Sequence, residues 1–180
     1  MPRLSITWWA IGLVGAWIGM GCAHTPRPCD NPPPLYLTLQ GSERLNPDEK
    51  GQPLVTQVLV LQTKGTAKAE AADFNDLRTK PQEVLGDELI SVNDTTVEPN
   101  GSNTVGYRRD PKATAIVVMG VFRQPTSNTW RSIATLPTVD SGRCTDTPQP
   151  VKDAPGKDDT VLIFGLDDVR VTNRTPPPKS

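Results

Sequence analysis

The chain has 180 residues, 36% of them hydrophobic and 5% aromatic, with 19 prolines and 14 glycines. Nineteen basic residues stand against 20 acidic ones, so no single-signed field selects nucleic acid or a charged membrane surface. The length suits one domain with flanking segments, and the proline and glycine content predicts a turn-rich β architecture rather than a helical bundle.

Arg3 precedes a run over residues 6–18 that is apolar apart from Thr7. A basic start followed by so short an apolar stretch predicts a signal peptide over 1–21, not a comfortable membrane span. The segment Ile18-Gly19-Met20-Gly21-Cys22 resembles the bacterial lipobox, whose cysteine is acylated and becomes the mature N-terminus. Gly19 stands where that pattern prefers leucine. The bland alternative is an ordinary signal peptide or a helical anchor with a chance cysteine. Acylation at Cys22 would supply more than enough buried CH₂ groups for stable anchoring. Ala23 follows it, and by resemblance to enterobacterial sorting the lack of aspartate there implies the outer membrane. Residues 22–34 then read as a stiff proline-rich tether.

With Cys22 set aside, Cys29 and Cys144 remain. An exported chain sits where disulfides persist, and two leftover cysteines make one bridge. Two free thiols or an intermolecular pair are the alternatives. His24 is the only histidine and lies in the tether, so neither a metal site nor a Ser-His-Asp arrangement is expected.

Residues 35–172 carry the strand-like runs. Leu35, Leu37 and Leu39 alternate with Tyr36, Thr38 and Gln40, which predicts one buried and one wet face. Residues 54–62 are apolar on both faces, as in a covered strand. Between them, residues 44–53 are polar, with Asn46-Pro47-Asp48-Glu49 offering a cap and a proline start, and Gly51 suited to a positive φ. A hairpin closes with two to five residues, so this loop exceeds what closure needs. Function and a plain long connection are both open readings of it.

Residues 68–77 form the most helical stretch, with Ala71, Phe74 and Leu77 on one stripe. A helical turn follows near residue 84 and ends at Gly86, giving a helical insertion over about 66–86. Further strands are expected at 89–92 with 95–97, 105–108, 113–122, 130–134, 161–166 and 169–172. Trp130 is read as core in preference to interface. Residues 173–180, with three prolines in a row, are expected as a disordered tail. The architecture so predicted is mainly β: a β-sandwich of seven to eight strands with a short helical insertion after the second.

Leu45-Asn46-Pro47-Asp48, Gly51-Gln52-Pro53-Leu54-Val55 and Leu59-Val60-Leu61-Gln62 resemble the opening signature of the TssJ lipoproteins of type VI secretion. Phe74 in its helix, Leu85-Gly86-Asp87-Glu88-Leu89, the apolar run over 115–122 and Trp130-Arg131 extend the resemblance, which covers roughly 16–136 and 161–171. The Cys29/Cys144 pair, the long 142–160 loop and the proline-rich tail depart from the pattern. The resemblance implies a transthyretin-like β-sandwich anchored to the outer membrane at its periplasmic face. It also implies that the loop over 44–53 contacts the periplasmic C-terminal part of the inner-membrane subunit TssM. On that basis Leu45 is the expected apolar contact and Asp48, Glu49 and Gln52 the polar ones, while Asn46 and Pro47 shape the loop. No enzyme activity, cofactor, metal or small-molecule substrate is expected. The transthyretin-like fold includes a ureide hydrolase, but that resemblance implies histidine and arginine in the active cleft, and no histidine follows His24. The competing function is a lipoprotein sandwich that binds a small ligand or polysaccharide, against which the scarcity of aromatic platforms counts.

Overall fold

In the computed structural model, which describes residues 29–177, alternation of leucines sets the first sheet. Leu35, Leu37 and Leu39 of β1 (Leu35–Gly41) are fully buried. β1 pairs antiparallel with β4 (Ser102–Tyr107) and parallel with β7 (Thr160–Asp167), and β7 pairs with β8 (Arg170–Asn173). The second sheet has the order β3 (Leu89–Val97), β2 (Thr56–Thr63), β5 (Ala115–Gly120), β6 (Arg131–Thr135), antiparallel throughout. The central strands β2 and β5 are buried almost from end to end, as continuous apolar runs should be. The two sheets close over one core that includes Leu37, Val60, Val118 and Phe164. The eight strands and their helical insertion match the predicted sandwich.

Three short helices follow β2: α1 (Ala67–Ala71), α2 (Phe74–Thr79) and α3 (Pro81–Leu85). The single stripe expected from Ala71, Phe74 and Leu77 is not what forms. The chain leaves the helix at Ala72 (φ −65°, ψ 143°), and Asp73 caps α2 by accepting the Asn75 N–H at 2.9 Å. Ala71 consequently faces solvent, while Ala69, Ala72, Leu77 and Leu85 are buried. An aspartate cap contributes about 1 kcal/mol, enough to divide a short helix.

The carbonyls freed by that break find a donor on the sheet. Arg131 donates from Nη1 to the Ala72 carbonyl at 2.9 Å and from Nη2 to the Glu70 carbonyl. Its guanidinium lies 4.2 Å from the Trp130 ring centre, and Phe74 meets that ring edge-on at 5.3 Å. Burial lowers the Arg131 pKa, with the Glu70 charge acting the other way. Trp130 is 2% exposed, a core residue as expected.

At the two ends the order extends beyond the predicted limits. Pro32, Pro33 and Pro34, assigned to the tether, are buried, and the Pro34 carbonyl accepts the Thr160 N–H at 3.2 Å. The expected tail begins inside β8 at Asn173, and Arg174 N–H donates to the Ile163 carbonyl at 2.7 Å. Thr175 Oγ1 then accepts the Ile163 N–H at 2.9 Å. Backbone groups at a sheet margin seek partners, and these flanks supply them. The predicted signal peptide, Cys22 and the tether up to residue 28 lie outside the described residues.

Candidate functional site

β1 and β2 run to opposite ends of the sandwich, so the molecule has two poles. One carries the connection between them over residues 42–55; the other carries Cys29 and the 136–159 segment.

The 42–55 connection is a small structure of its own. The Leu54 N–H donates to the Leu45 carbonyl at 2.9 Å, and the Asp48 N–H to the Gln52 carbonyl at 2.8 Å. The tip is closed by Asp48, whose Oδ1 accepts N–H groups from Lys50 and Gln52, each at 2.8 Å. Gly51 adopts φ +76°, a conformation in which a side chain would be strained. The cap is thus Asp48 rather than Asn46, and the segment forms a turn with no helix. An aspartate that accepts the N–H two residues on, here that of Lys50, makes an Asx turn, which competes well with a short helix start.

Asn46 has another task. It is 4% exposed with φ 47°, donates its N–H to the Asp168 carbonyl at 2.7 Å, and accepts the Arg123 N–H through Oδ1 at 2.9 Å. One residue therefore joins the 42–55, 121–130 and 167–169 segments. Two exposed ion pairs follow the same lines: Arg44–Asp167 at 3.5 Å and Arg123–Glu49 at 3.6 Å. Exposed pairs of this kind contribute little stability. The Ser42 hydroxyl, and after it Arg44 and Arg174, hold the Asp167 carboxyl below the usual carboxylate value.

Of the expected contact residues, the structure leaves Glu49 and Gln52 exposed and Pro47 and Asp48 half-buried. Leu45 is the correction. It is 0% exposed and belongs to the core, so it cannot be an apolar contact on the surface. The loop closes on Leu45 as a plug, because a leucine in water would forfeit roughly 2 kcal/mol. Val55, 57% exposed at the base of the same loop, is the apolar side chain the surface offers, and sequence reasoning passed over it as strand.

At the other pole Cys29 and Cys144 form a disulfide with a Cα–Cα distance of 5.5 Å. The leader and the long segment are further joined by Asn31, which donates through Nδ2 to the carbonyls of Thr145 and Asp146 at 3.1 and 3.2 Å. Tyr36, expected on a wet face, is 0% exposed. Its hydroxyl donates to the Lys152 carbonyl at 3.1 Å and accepts the Lys152 N–H at 2.9 Å. The long segment lies over the sheet there, and Gly106 makes room for it: a Cβ on Gly106 would sit 2.4 Å from Val151 Cγ1 and 2.7 Å from Tyr36 Cε1.

A cleft of about 310 Å³ opens beside this clasp, lined in part by Asn31, Gln62, Ser91 and Arg109. Arg109 is 6% exposed and donates to the Pro137 carbonyl at 2.7 Å; burial, and then the Arg143 charge, lower its pKa. Among the described residues no cluster of His, Cys, Asp and Glu could hold a metal, and no helix is long and apolar enough to cross a membrane.

Two four-stranded sheets and a helical insertion after the second strand define a mainly β sandwich, with a self-capped loop at one pole. The family model described as "Type VI secretion lipoprotein, VasD, EvfM, TssJ, VC_A0113" matches residues 33–153, and the chain belongs to that family. Among solved structures, the chain is similar to the lipoprotein TssJ1 of the type VI secretion system (T6SS) from Pseudomonas aeruginosa. That match has 18% identity and a TM-score of 0.63, over 82% of this chain and 99% of the other. Serratia marcescens Lip, described as a membrane-bound component of the type VI secretion system, gives 19% identity and a TM-score of 0.65 over 79% and 97%. A chain of the structure described as the T6SS protein TssM C-terminal domain from EAEC gives 23% and 0.58 over 81% and 99%. No curated protein matches the sequence.

Proposed function

We propose that this lipoprotein is held in the outer membrane by acylated Cys22, facing the periplasm, and binds the periplasmic C-terminal region of a TssM-type inner-membrane subunit. Its work is then mechanical: it ties the trans-envelope secretion complex to the outer membrane. The observation that carries the reading is the loop over 44–55. Its backbone is held by internal hydrogen bonds and a buried leucine, while Glu49, Lys50 and Gln52 are left to solvent. A loop shaped by its buried and turn-forming residues, with its exposed side chains free of that task and set on a rigid scaffold, is built for recognition. Family membership, and the likeness to a chain from a TssM structure, support the choice of partner.

The test replaces residues 48–52 by a short glycine turn and leaves Leu45 and Asn46 in place. The expected product melts cooperatively, as the parent does, and no longer retains the TssM periplasmic domain in a pull-down. Retention at parental affinity would overturn the reading. For the anchor, labelled palmitate is expected in the parent and not in Cys22→Ser; equal labelling of both would refute acylation at Cys22.

A second reading, a module that binds a small ligand or saccharide, is favoured by one observation, the 310 Å³ cleft. It predicts that envelope saccharide fragments shift the NMR signals of Gln62, Ser91 and Arg109, and the absence of such shifts at millimolar concentrations removes it.

A further inference from the structure

We infer that the recognition surface is composite. The 121–130 segment joins the 44–55 loop in a single docking face, with Val55 as its apolar contact and Asn46 as the residue that holds the two segments in register. The inference rests on the proposed recognition role of the loop and extends it to residues outside the loop.

Register places the two segments side by side. β2 and β5 pair Val58 with Gly120, and the Val121 N–H still donates to the Gln57 carbonyl at 2.9 Å. Beyond that bond the chain turns, the Phe122 N–H donating back to the Gly120 carbonyl at 3.0 Å, and Arg123 meets the loop. Asn46 Oδ1 then accepts the Arg123 N–H, and Arg123 reaches Glu49. From that point Arg123, Gln124, Thr126, Ser127 and Asn128 are all exposed. Behind them the segment is fastened by Phe122 and Trp130, both buried, and by the Val171 N–H donating to the Thr129 carbonyl at 2.8 Å. A segment moored at both ends with a polar exposed middle repeats the design of the 44–55 loop.

The chemistry of the face selects its partner. Glu49 and the half-buried Asp48 oppose Arg44, Lys50 and Arg123, and the remainder is amide, hydroxyl and proline around a single exposed valine. Such a near-neutral, hydrogen-bonding surface fits a folded protein with a polar rim and one apolar recess. It lacks the basic field that nucleic acid or an anionic bilayer requires.

Asn46 is the positioning residue. Its left-handed backbone suits asparagine or glycine, so Asn46→Gly removes the Oδ1 acceptor without adding strain. In the free Asn46→Gly domain, amide exchange is expected to rise about tenfold or more at Arg123 and its neighbours, while β2 and β5 keep parental protection. Partner affinity is expected to fall about tenfold for Asn46→Gly and for Val55→Ser, and severalfold for a combined Arg123→Ala, Asn128→Ala variant. The 48–52 replacement serves as the control for the underlying reading. If it abolishes binding while Val55→Ser and the 123/128 pair bind as the parent does, the face is confined to the loop and the composite surface is refuted. Exchange unchanged at residues 121–128 in Asn46→Gly would remove the positioning role on its own.

Discussion

The two poles are ordered by different means. The loop pole is held by many short-range devices: a buried leucine, an Asx turn, a positive-φ glycine and one asparagine bonded to two neighbouring segments. The clasp pole is held by one covalent bond over a sequence separation of 115 and a few hydrogen bonds to a largely exposed segment. Where the partner is expected, the backbone is stiffened without help from the exposed side chains, so recognition costs little ordering. At the other pole a single covalent clasp fastens the stretch from Cys29 to the 136–159 segment. The first pole is preorganised and the second is fastened.

The largest effect that sharpens this contrast is at Leu45. A surface contact could be truncated at a cost of about 0.5 kcal/mol or less, whereas a fully buried leucine loses its transfer energy and leaves a cavity. Leu45→Ala is expected to lower unfolding stability by about 2–5 kcal/mol in urea titrations. A loss within 0.5 kcal/mol would return Leu45 to the surface and break the account of the loop.

Next in size is the clasp. Cys29→Ser with Cys144→Ser is expected to cost about 2–4 kcal/mol, since closing a long loop restricts the unfolded chain. Limited proteolysis should then cut within residues 136–159 well before the 44–55 loop. Equal cleavage at both poles would mean that they are ordered in the same way.

These two sites also show where the sequence was legible. Strand alternation exposed the sandwich because a period of two is a local property, readable from Leu35, Leu37 and Leu39 alone. The cysteine pair was legible by arithmetic. Leu45 was not, because the plug is made by a core that reaches up to meet a residue lying in a polar stretch. Tyr36 failed for a similar reason: its face is wet by pattern, and a stretch distant in sequence, around Val151 and Lys152, lies over it. The break at Ala72 was hidden too, since Asp73 is unremarkable within an alanine-rich run until Arg131 takes up the freed carbonyls.

Tyr36→Phe comes third. The hydroxyl makes two bonds to the backbone of Lys152, and their net contribution is about 1 kcal/mol. A loss near that size in thermal unfolding is expected, with faster amide exchange at Lys152 and none added at Asp48 or Gln52. Spread of the effect to the loop pole would show that the poles are coupled rather than separately built.

The smallest effect is the one that bears most directly on recognition. Glu49 and Arg123 meet at 3.6 Å with side chains 83% and 49% exposed. At such exposure the attraction is screened by water and salt, and holding two long side chains costs entropy of similar size. Glu49→Ala and Arg123→Ala are each expected to change stability by no more than about 0.5 kcal/mol, with a double-mutant coupling that vanishes in 1 M salt. Both side chains sit on the face assigned to the partner, so each is still expected to weaken binding. Stability and affinity therefore separate at this pair, as they must if the loop pole is stiffened by its buried and turn-forming residues and leaves its exposed side chains for another protein. A coupling above about 1 kcal/mol in the free domain would place the pair among the devices that order the pole, and the separation between scaffold and recognition surface would fail there.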